Sequence, residues 1–62
     1  MPEITYGDLV RITADAPTEF RPGELASVCG IHEFPEEGLK FLVEFSDGSA
    51  VEVQSKFVET SN

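Results

Sequence analysis

The stretch LKFLVEFSDGSAVEV, residues 39–53, determines the fold class more clearly than any other part of the sequence. Apolar residues alternate with others along both of its halves, as they do along a half-buried β-strand. Between the halves, Ser46-Asp47-Gly48 has the composition of a hairpin turn, with glycine where a positive φ is needed. The stretch therefore predicts two antiparallel strands, over 39–45 and 49–53, joined by a tight turn.

Shorter apolar segments on either side of this hairpin predict three further strands, followed by a polar tail. The strands are expected at 8–13, 25–32 and 57–59, and the tail at 60–62. Alternation fails at Gly30, which predicts a β-bulge or sharp bend there. A tight turn is expected at 21–24, where Pro and Gly are adjacent, and a single turn of 3₁₀ helix at 54–56. Glycine and proline recur too often for a helix of three turns.

The size of the chain allows one small domain and a core of about a dozen side chains. The chain has 62 residues, of which 40% are hydrophobic. That fraction is ordinary for a globular protein. The predicted core consists of Val10, Ile12, Ala26, Val28, Ile31, Leu39, Val43, Phe45, Val51, Val53 and Val58, with Phe41 or Leu42.

Three segments resemble parts of known small β-barrel families. GDLVRI (7–12) with PGELASVCGI (22–31) is similar to the opening of KOW-type modules. FLVEFSDGSAVEV (41–53) resembles the central hairpin of Tudor-like barrels, and SKFVE (55–59) resembles the closing segment of signalling SH3 domains. The resemblance implies an all-β fold, with residues 1–62 forming a single five-stranded SH3-like barrel. It does not carry over a ligand, because the chain lacks the tryptophan of a proline-binding SH3 groove.

The charge balance disfavours nucleic acid and membrane surfaces as partners. Twelve Asp and Glu against four Lys and Arg give a net charge of −8, and each phosphate contact needs a cation. No segment approaches the ~20 apolar residues of a membrane span, and the N-terminal stretch lacks the regions of a signal peptide. With a single cysteine and hence no internal disulfide, we expect a cytoplasmic protein.

Few residues could support catalysis or metal binding. Cys29 and His32 are the lone cysteine and histidine, whereas zinc sites use three or four such ligands. Positions three apart fall on opposite faces of a strand unless a bulge such as the one expected at Gly30 intervenes, and we interpret the two as a semi-buried thiol and a loop imidazole. The carboxylates at 33–37 lack the spacing of a calcium loop. We therefore expect no enzyme, and no catalytic residue, metal, cofactor or small-molecule substrate.

Aromatic residues and carboxylates beyond the needs of a core accumulate in the two long loops. Phe20 and Phe34 are expected in these loops, and Phe57 falls where signalling SH3 domains carry a ligand-contacting aromatic residue. If the SH3 layout holds, the rings lie on one side of the domain, surrounded by the carboxylates Asp15, Glu19, Glu33, Glu36 and Glu37. Aromatic residues concentrate at interface cores, so these eight residues form the predicted partner-binding site. The alternative is that Phe20 and Phe34 cover the barrel ends and the charges only keep the protein soluble.

These observations together predict a non-catalytic binding module. We expect it to dock on a protein partner with a basic or mixed surface, with the carboxylates steering the encounter. Two alternatives stay open. One is an acidic inhibitor or immunity-type protein that blocks a basic enzyme site. The other is a KOW-like nucleic-acid or ribosome-associated module, which the net charge disfavours most.

Overall fold

The computed structural model describes residues 4–61 as five antiparallel strands and two single-turn 3₁₀ helices. The strands are β1 (Leu9–Ile12), β2 (Leu25–Phe34), β3 (Gly38–Phe45), β4 (Ala50–Gln54) and β5 (Val58–Thr60). The 3₁₀ helices are η1 (Thr18–Phe20) and η2 (Ser55–Phe57). The predicted all-β class is confirmed. No helix in this described part of the chain is long and apolar enough to cross a membrane.

Several element boundaries differ from the prediction because strand pairing continues beyond the predicted ends. Glu33 and Phe34, expected in a loop, pair with the start of β3 and lengthen β2. Gln54 also pairs with β3, so the expected 3₁₀ turn begins one residue later, as η2. Thr60, expected in the tail, pairs with β1 and belongs to β5. The helix η1 was not predicted.

The strands form one sheet in the order β4-β3-β2-β1-β5. Within residues 4–61 no ladder joins β4 to β5, so hydrogen bonds do not close the sheet into the barrel expected from the sequence. The sheet is nevertheless strongly curled, because η2 alone connects its two edge strands. Only the three residues of η2 separate Gln54 from Val58, so the Cα atoms of these two residues lie at most about 14 Å apart.

A β-bulge at Cys29 keeps the apolar side of β2 facing the core along its whole length. The register of β2 against β3 shifts between Val28 and Gly30, which leaves Cys29 without a partner. Val28 and Ile31 are an odd number of positions apart and would face opposite ways in a regular strand; the extra residue restores them to one face. A Cβ on Gly30 would lie 2.9 Å from the Cβ of Leu42. Glycine thus permits this close approach, and the predicted bulge is confirmed.

The core lies on one face of the sheet, called here the inner face; the opposite face is the outer face. The buried apolar residues are Val10, Ile12, Ala16, Ala26, Val28, Phe41, Val43, Phe45, Val53 and Val58. Each large side chain buried there contributes about 1.5–3 kcal/mol before entropy. Leu39 was expected in the core but is 37% exposed, because the end of the β2–β3 hairpin extends beyond it. Ile31 and Val51 are half-buried at the margin of the core.

The β3–β4 turn gives the first testable prediction, at Gly48. Its φ of 89° lies in the left-handed region, which β-branched residues rarely adopt. We expect Gly48→Val to lower the free energy of unfolding by more than about 1 kcal/mol, measured by urea denaturation. Gly48→Asn is the matched control, because asparagine tolerates this region and should cost less. Equal stability of the valine variant and the wild type would contradict the turn geometry.

Candidate functional site

Phe20 and Phe57, at the ends of the two 3₁₀ helices, are brought into contact. Their ring centroids are 6.4 Å apart, with planes tilted by 39°. Both rings are half-buried and pack against the core. The amide of Thr13 donates to the carbonyl of Phe57 at 2.9 Å, which connects η2 to the loop that contains η1. The pair therefore forms a partly exposed apolar area where this loop meets η2.

Arg21 holds the loop that positions Phe20. It ends η1 with a φ of 59°, in the left-handed region that non-glycine residues seldom adopt. Its guanidinium carbon lies 4.6 Å from the ring centroid of Phe45, and its Nη2 is 3.1 Å from Oδ2 of Asp47. Phe45 is a core residue and Asp47 belongs to the β3–β4 turn, so these contacts tie the loop to a distant hairpin.

Asp47 is a hydrogen-bond acceptor for two segments at once. The hydroxyl of Ser49 donates to it at 2.7 Å and the amide of Ser49 at 3.0 Å. These two donors, and then the Arg21 guanidinium, hold the pKa of Asp47 well below its usual range. The carboxylate therefore stays ionised in moderate acid, and the Arg21 contact persists there.

A cleft of about 190 Å³ separates η2 from the end of the β2–β3 hairpin. It is lined by Glu37, Gly38, Leu39, Gln54, Ser55 and Lys56. Lys56 belongs both to the cleft and to the aromatic pair, because its Nζ lies 5.0 Å from the ring centroid of Phe57. The aromatic pair and the cleft thus adjoin at Lys56, and together they are called the η2 surface below.

Two of the predicted carboxylates lie on the η1 side of this surface. Glu19 is exposed in η1, directly before Phe20. Asp15 is exposed in the preceding part of the loop and accepts a hydrogen bond from the hydroxyl of Thr13. Both charges therefore stand close in the chain to residues that contact η2.

The other three carboxylates lie at the hairpin end. Glu33 pairs with Leu39 and so shares its face, beside the cleft. Glu37 lines the cleft and accepts a hydrogen bond from Nζ of Lys40 at 2.8 Å. That bond raises the pKa of Lys40. Glu36 is exposed in the turn between the strands. Glu33 and Glu37 therefore lie at the cleft, whereas Asp15 and Glu19 belong to the loop whose Phe20 contacts η2.

Phe34 lies apart from the other two predicted rings. Because β2 continues to Phe34, strand alternation places it on the outer face, three positions after the inward-facing Ile31. Its ring centroid is 6.2 Å from that of His32, and Nζ of Lys40 lies 5.2 Å from it. The structure thus brings together two of the three rings that the sequence grouped.

Cys29 and His32 are both placed differently from the expectation. The thiol of Cys29 is exposed at the bulge and not semi-buried. His32 lies within β2 and not in a loop, and its Nδ1 is 2.8 Å from Oε2 of Glu52 in β4. Among residues 4–61, no group of three or more His, Cys, Asp or Glu side chains is placed to hold a metal ion.

Sequence reasoning missed four side chains of the cleft. These are Leu39, Gln54, Ser55 and Lys56. Leu39 alternates in phase with the core residues of β3, so the pattern predicts burial and gives no sign that the hairpin extends beyond the core. For Gln54, Ser55 and Lys56, the sequence indicates only a 3₁₀ turn next to Phe57. It does not predict that these residues face the end of the β2–β3 hairpin.

The ionised Asp47 gives a prediction about acid stability. A carboxyl whose pKa is depressed by folding stabilises the native state above its unfolded-state pKa, near 4, and loses this contribution as the pH falls toward the folded-state pKa. We expect Asp47→Asn to lower the melting temperature at pH 7, with the difference from the wild type narrowing as the pH falls below about 4. Glu36→Gln removes the same charge from an exposed turn and controls for net charge. A difference that does not change between pH 7 and pH 2 would contradict this role for Asp47.

Comparison with known proteins identifies no relative of this chain. No protein-family model, curated protein or solved structure matches this chain. What the structure establishes is a small all-β protein with five antiparallel strands in one sheet. Its function has to be argued from the η2 surface and the charges beside it.

Proposed function

We propose that this protein is a non-catalytic binding module that docks on a protein partner with a basic or mixed surface. The observation that carries the proposal is that the half-buried Phe20–Phe57 pair adjoins the cleft beside η2 at Lys56. Aromatic side chains offer a large contact area with few rotatable bonds, and residues of this kind dominate the centres of protein interfaces. The η2 surface has this composition, with polar groups around it.

We propose further that the fold is of the SH3-like type. The strand order and the crossing from β4 to β5 through a single 3₁₀ turn support this assignment. In signalling SH3 domains the loops after the first and second strands flank the binding face. Here the loop after β1 and the end of the β2–β3 hairpin flank the η2 surface in the same way.

The charges around the η2 surface favour a partner that carries Lys and Arg. Two of the chain's four cations are paired internally, Arg21 with Asp47 and Lys40 with Glu37. Lys56 is the cation of the η2 surface itself, so a mixed partner surface also fits. A net charge of −8 attracts basic partners over distances near the Debye length, which raises association rates. The free thiol of Cys29 suits a reducing compartment, and we propose the cytosol.

The proposal predicts that Phe57 is a centre of binding energy. Partners captured from the native cytosol would be purified and titrated by calorimetry with the wild type and variants. Phe57→Ala should weaken binding by about 2 kcal/mol or more, the range of interface hot spots. Phe34→Ala is the matched control, since it removes the same ring from the outer face and should leave binding unchanged.

Three outcomes of this experiment would redirect the conclusion. Equal affinity of Phe57→Ala and the wild type, with both shown to be folded, would overturn the η2 surface as the site. A captured enzyme that loses activity on binding would assign the inhibitor or immunity-type function. Retention of RNA or DNA at physiological salt would support the KOW-like alternative, against the expectation from net charge.

The charge at the hairpin turn gives a second prediction for the same partner. Glu36→Lys should slow association more than it speeds dissociation, and the effect should shrink with added salt because screening weakens long-range attraction. Glu52→Lys makes the same charge change at an exposed outer-face position of β4 and serves as the control. Stopped-flow association rates at low and physiological salt measure both. Equal slowing by the two variants would show a general effect of net charge and no local role for the hairpin turn.

A further inference from the structure

The outer face of β1 and β2 presents two leucines to solvent. Leu9 is 51% exposed and Leu25 is 42% exposed. The uncovered face of an antiparallel sheet normally carries polar residues, so these leucines break the pattern. Leu9 pairs with Ser27 and Leu25 pairs with Arg11, which makes the leucines diagonal neighbours about 7–8 Å apart. The two leucines form one apolar area near the start of β2, whereas the β2–β3 hairpin turn follows the end of β2 at Phe34.

A carboxylate stands on each side of this apolar area. Glu44 of β3 lies opposite Ser27, and Glu59 of β5 lies opposite Arg11. Both glutamates are exposed. The strand order β3-β2-β1-β5 separates them by three strand spacings, which is about 14 Å.

The cation in this area is directed to the protein's own backbone. Nη1 of Arg11 donates to the carbonyl of Gly23 at 2.8 Å. Arg11 therefore offsets the two carboxylates only in part, and the area is acidic at its margins. It is called the outer-face patch below and consists of Leu9, Arg11, Leu25, Ser27, Glu44 and Glu59.

We propose that the outer-face patch is a second docking surface, and that it binds a basic amphipathic helix of a partner protein. The apolar stripe of the helix would cover Leu9 and Leu25, and its flanking Lys and Arg would reach Glu44 and Glu59. A helix with its side chains is about 10–12 Å wide, which fits the about 14 Å between the two glutamate-bearing strands. Partner proteins recognise amphipathic helices through apolar anchors at positions i, i+3, i+4 and i+7, and the two leucines offer a contact area for such anchors.

Charge complementarity favours this occupant over a second copy of the chain. Two copies meeting through this face would place the glutamates of one against a surface of the same composition. Each copy would also carry a net charge of −8, and like charges brought together oppose association. A helix with basic flanks places Lys and Arg, and not carboxylates, against Glu44 and Glu59. It is also not repelled by the net negative charge of the chain.

The test uses a synthetic helix as the probe and the intact chain as the receptor. The probe is a fluorescein-labelled peptide of about 15 residues, long enough for a marginally stable helix, with a leucine stripe and lysine flanks. A peptide of identical composition, scrambled to remove the stripe, controls for non-specific attraction. Binding is measured by fluorescence anisotropy and mapped by amide chemical shifts. We expect the striped peptide to bind at least about tenfold more tightly than the scrambled one, with shifts centred on β1 and β2.

Variants locate the binding on the leucines. Leu9→Thr and Leu25→Thr keep a residue suited to strands and should each weaken binding by about tenfold. Leu39→Thr changes an exposed leucine of the η2 surface and should have no effect. Glu44→Lys and Glu59→Lys leave both leucines in place and should also weaken binding, so the proposal stays testable if a threonine variant fails to fold.

Several results would overturn the proposal. These are equal binding of the two peptides, shifts confined to the η2 surface, or equal losses from Leu39→Thr and Leu9→Thr. Concentration-dependent dimerisation through this face would assign it to a second copy, and Leu9-dependent adsorption to lipid vesicles would assign it to a bilayer. Phe57→Ala should leave probe binding unchanged, so this inference and the proposed function can fail independently.

Discussion

The β-bulge at Cys29 decides which side chains of β2 face the core and how strongly the strand bends. Val28 and Ile31 can both face inward only because Cys29 is left out of the register, and Leu42 can cover the bend only because Gly30 has no side chain. In a regular strand, every residue after Val28 would face the other way, and polar side chains would point at the core. A bulge also increases local twist and bends the strand. The long β2–β3 hairpin therefore contributes to the curl that lets one 3₁₀ turn connect the two edges of the sheet.

That curl assembles the η2 surface from parts of the chain that are far apart in sequence. The helix η2 meets the loop after β1 on one side, through the Phe20–Phe57 contact, and the hairpin end on the other, across the cleft. The Arg21 contacts with Phe45 and Asp47 hold the loop against the core and the β3–β4 turn. The hydrogen bonds from Ser49 and the Arg21 contact lower the pKa of Asp47 and so favour the charged carboxylate that pairs with Arg21. Phe20, although it lies in a loop, is thus held by contacts with η2 and through Arg21 with the sheet.

Local patterns predicted the elements well and their ends less well. The 39–53 hairpin and its turn were predictable because alternation and a left-handed glycine are properties of adjacent residues. The continuation of β2 through Glu33 and Phe34 was not, because the strand ends where its partner ends. Grouping Phe34 with Phe20 and Phe57 assumed a loop at that position. The strand β2 continues for two residues beyond its predicted end, Glu33 and Phe34, and strand alternation then places the Phe34 ring on the outer face.

The all-β class and the inward alternation of the strand residues can be read from the sequence, since both follow from period-2 spacing and turn residues. The acidity of the surface can be read there too, because net charge is a property of composition. The three-dimensional fold set which loops meet and how far the core extends. It also decided which leucines stay exposed. Leu9, Leu25 and Leu39 are apolar strand residues like those of the core, and they differ from them only in what the folded chain places above them. Contacts between distant segments are set by curl and register, which no short window of sequence contains.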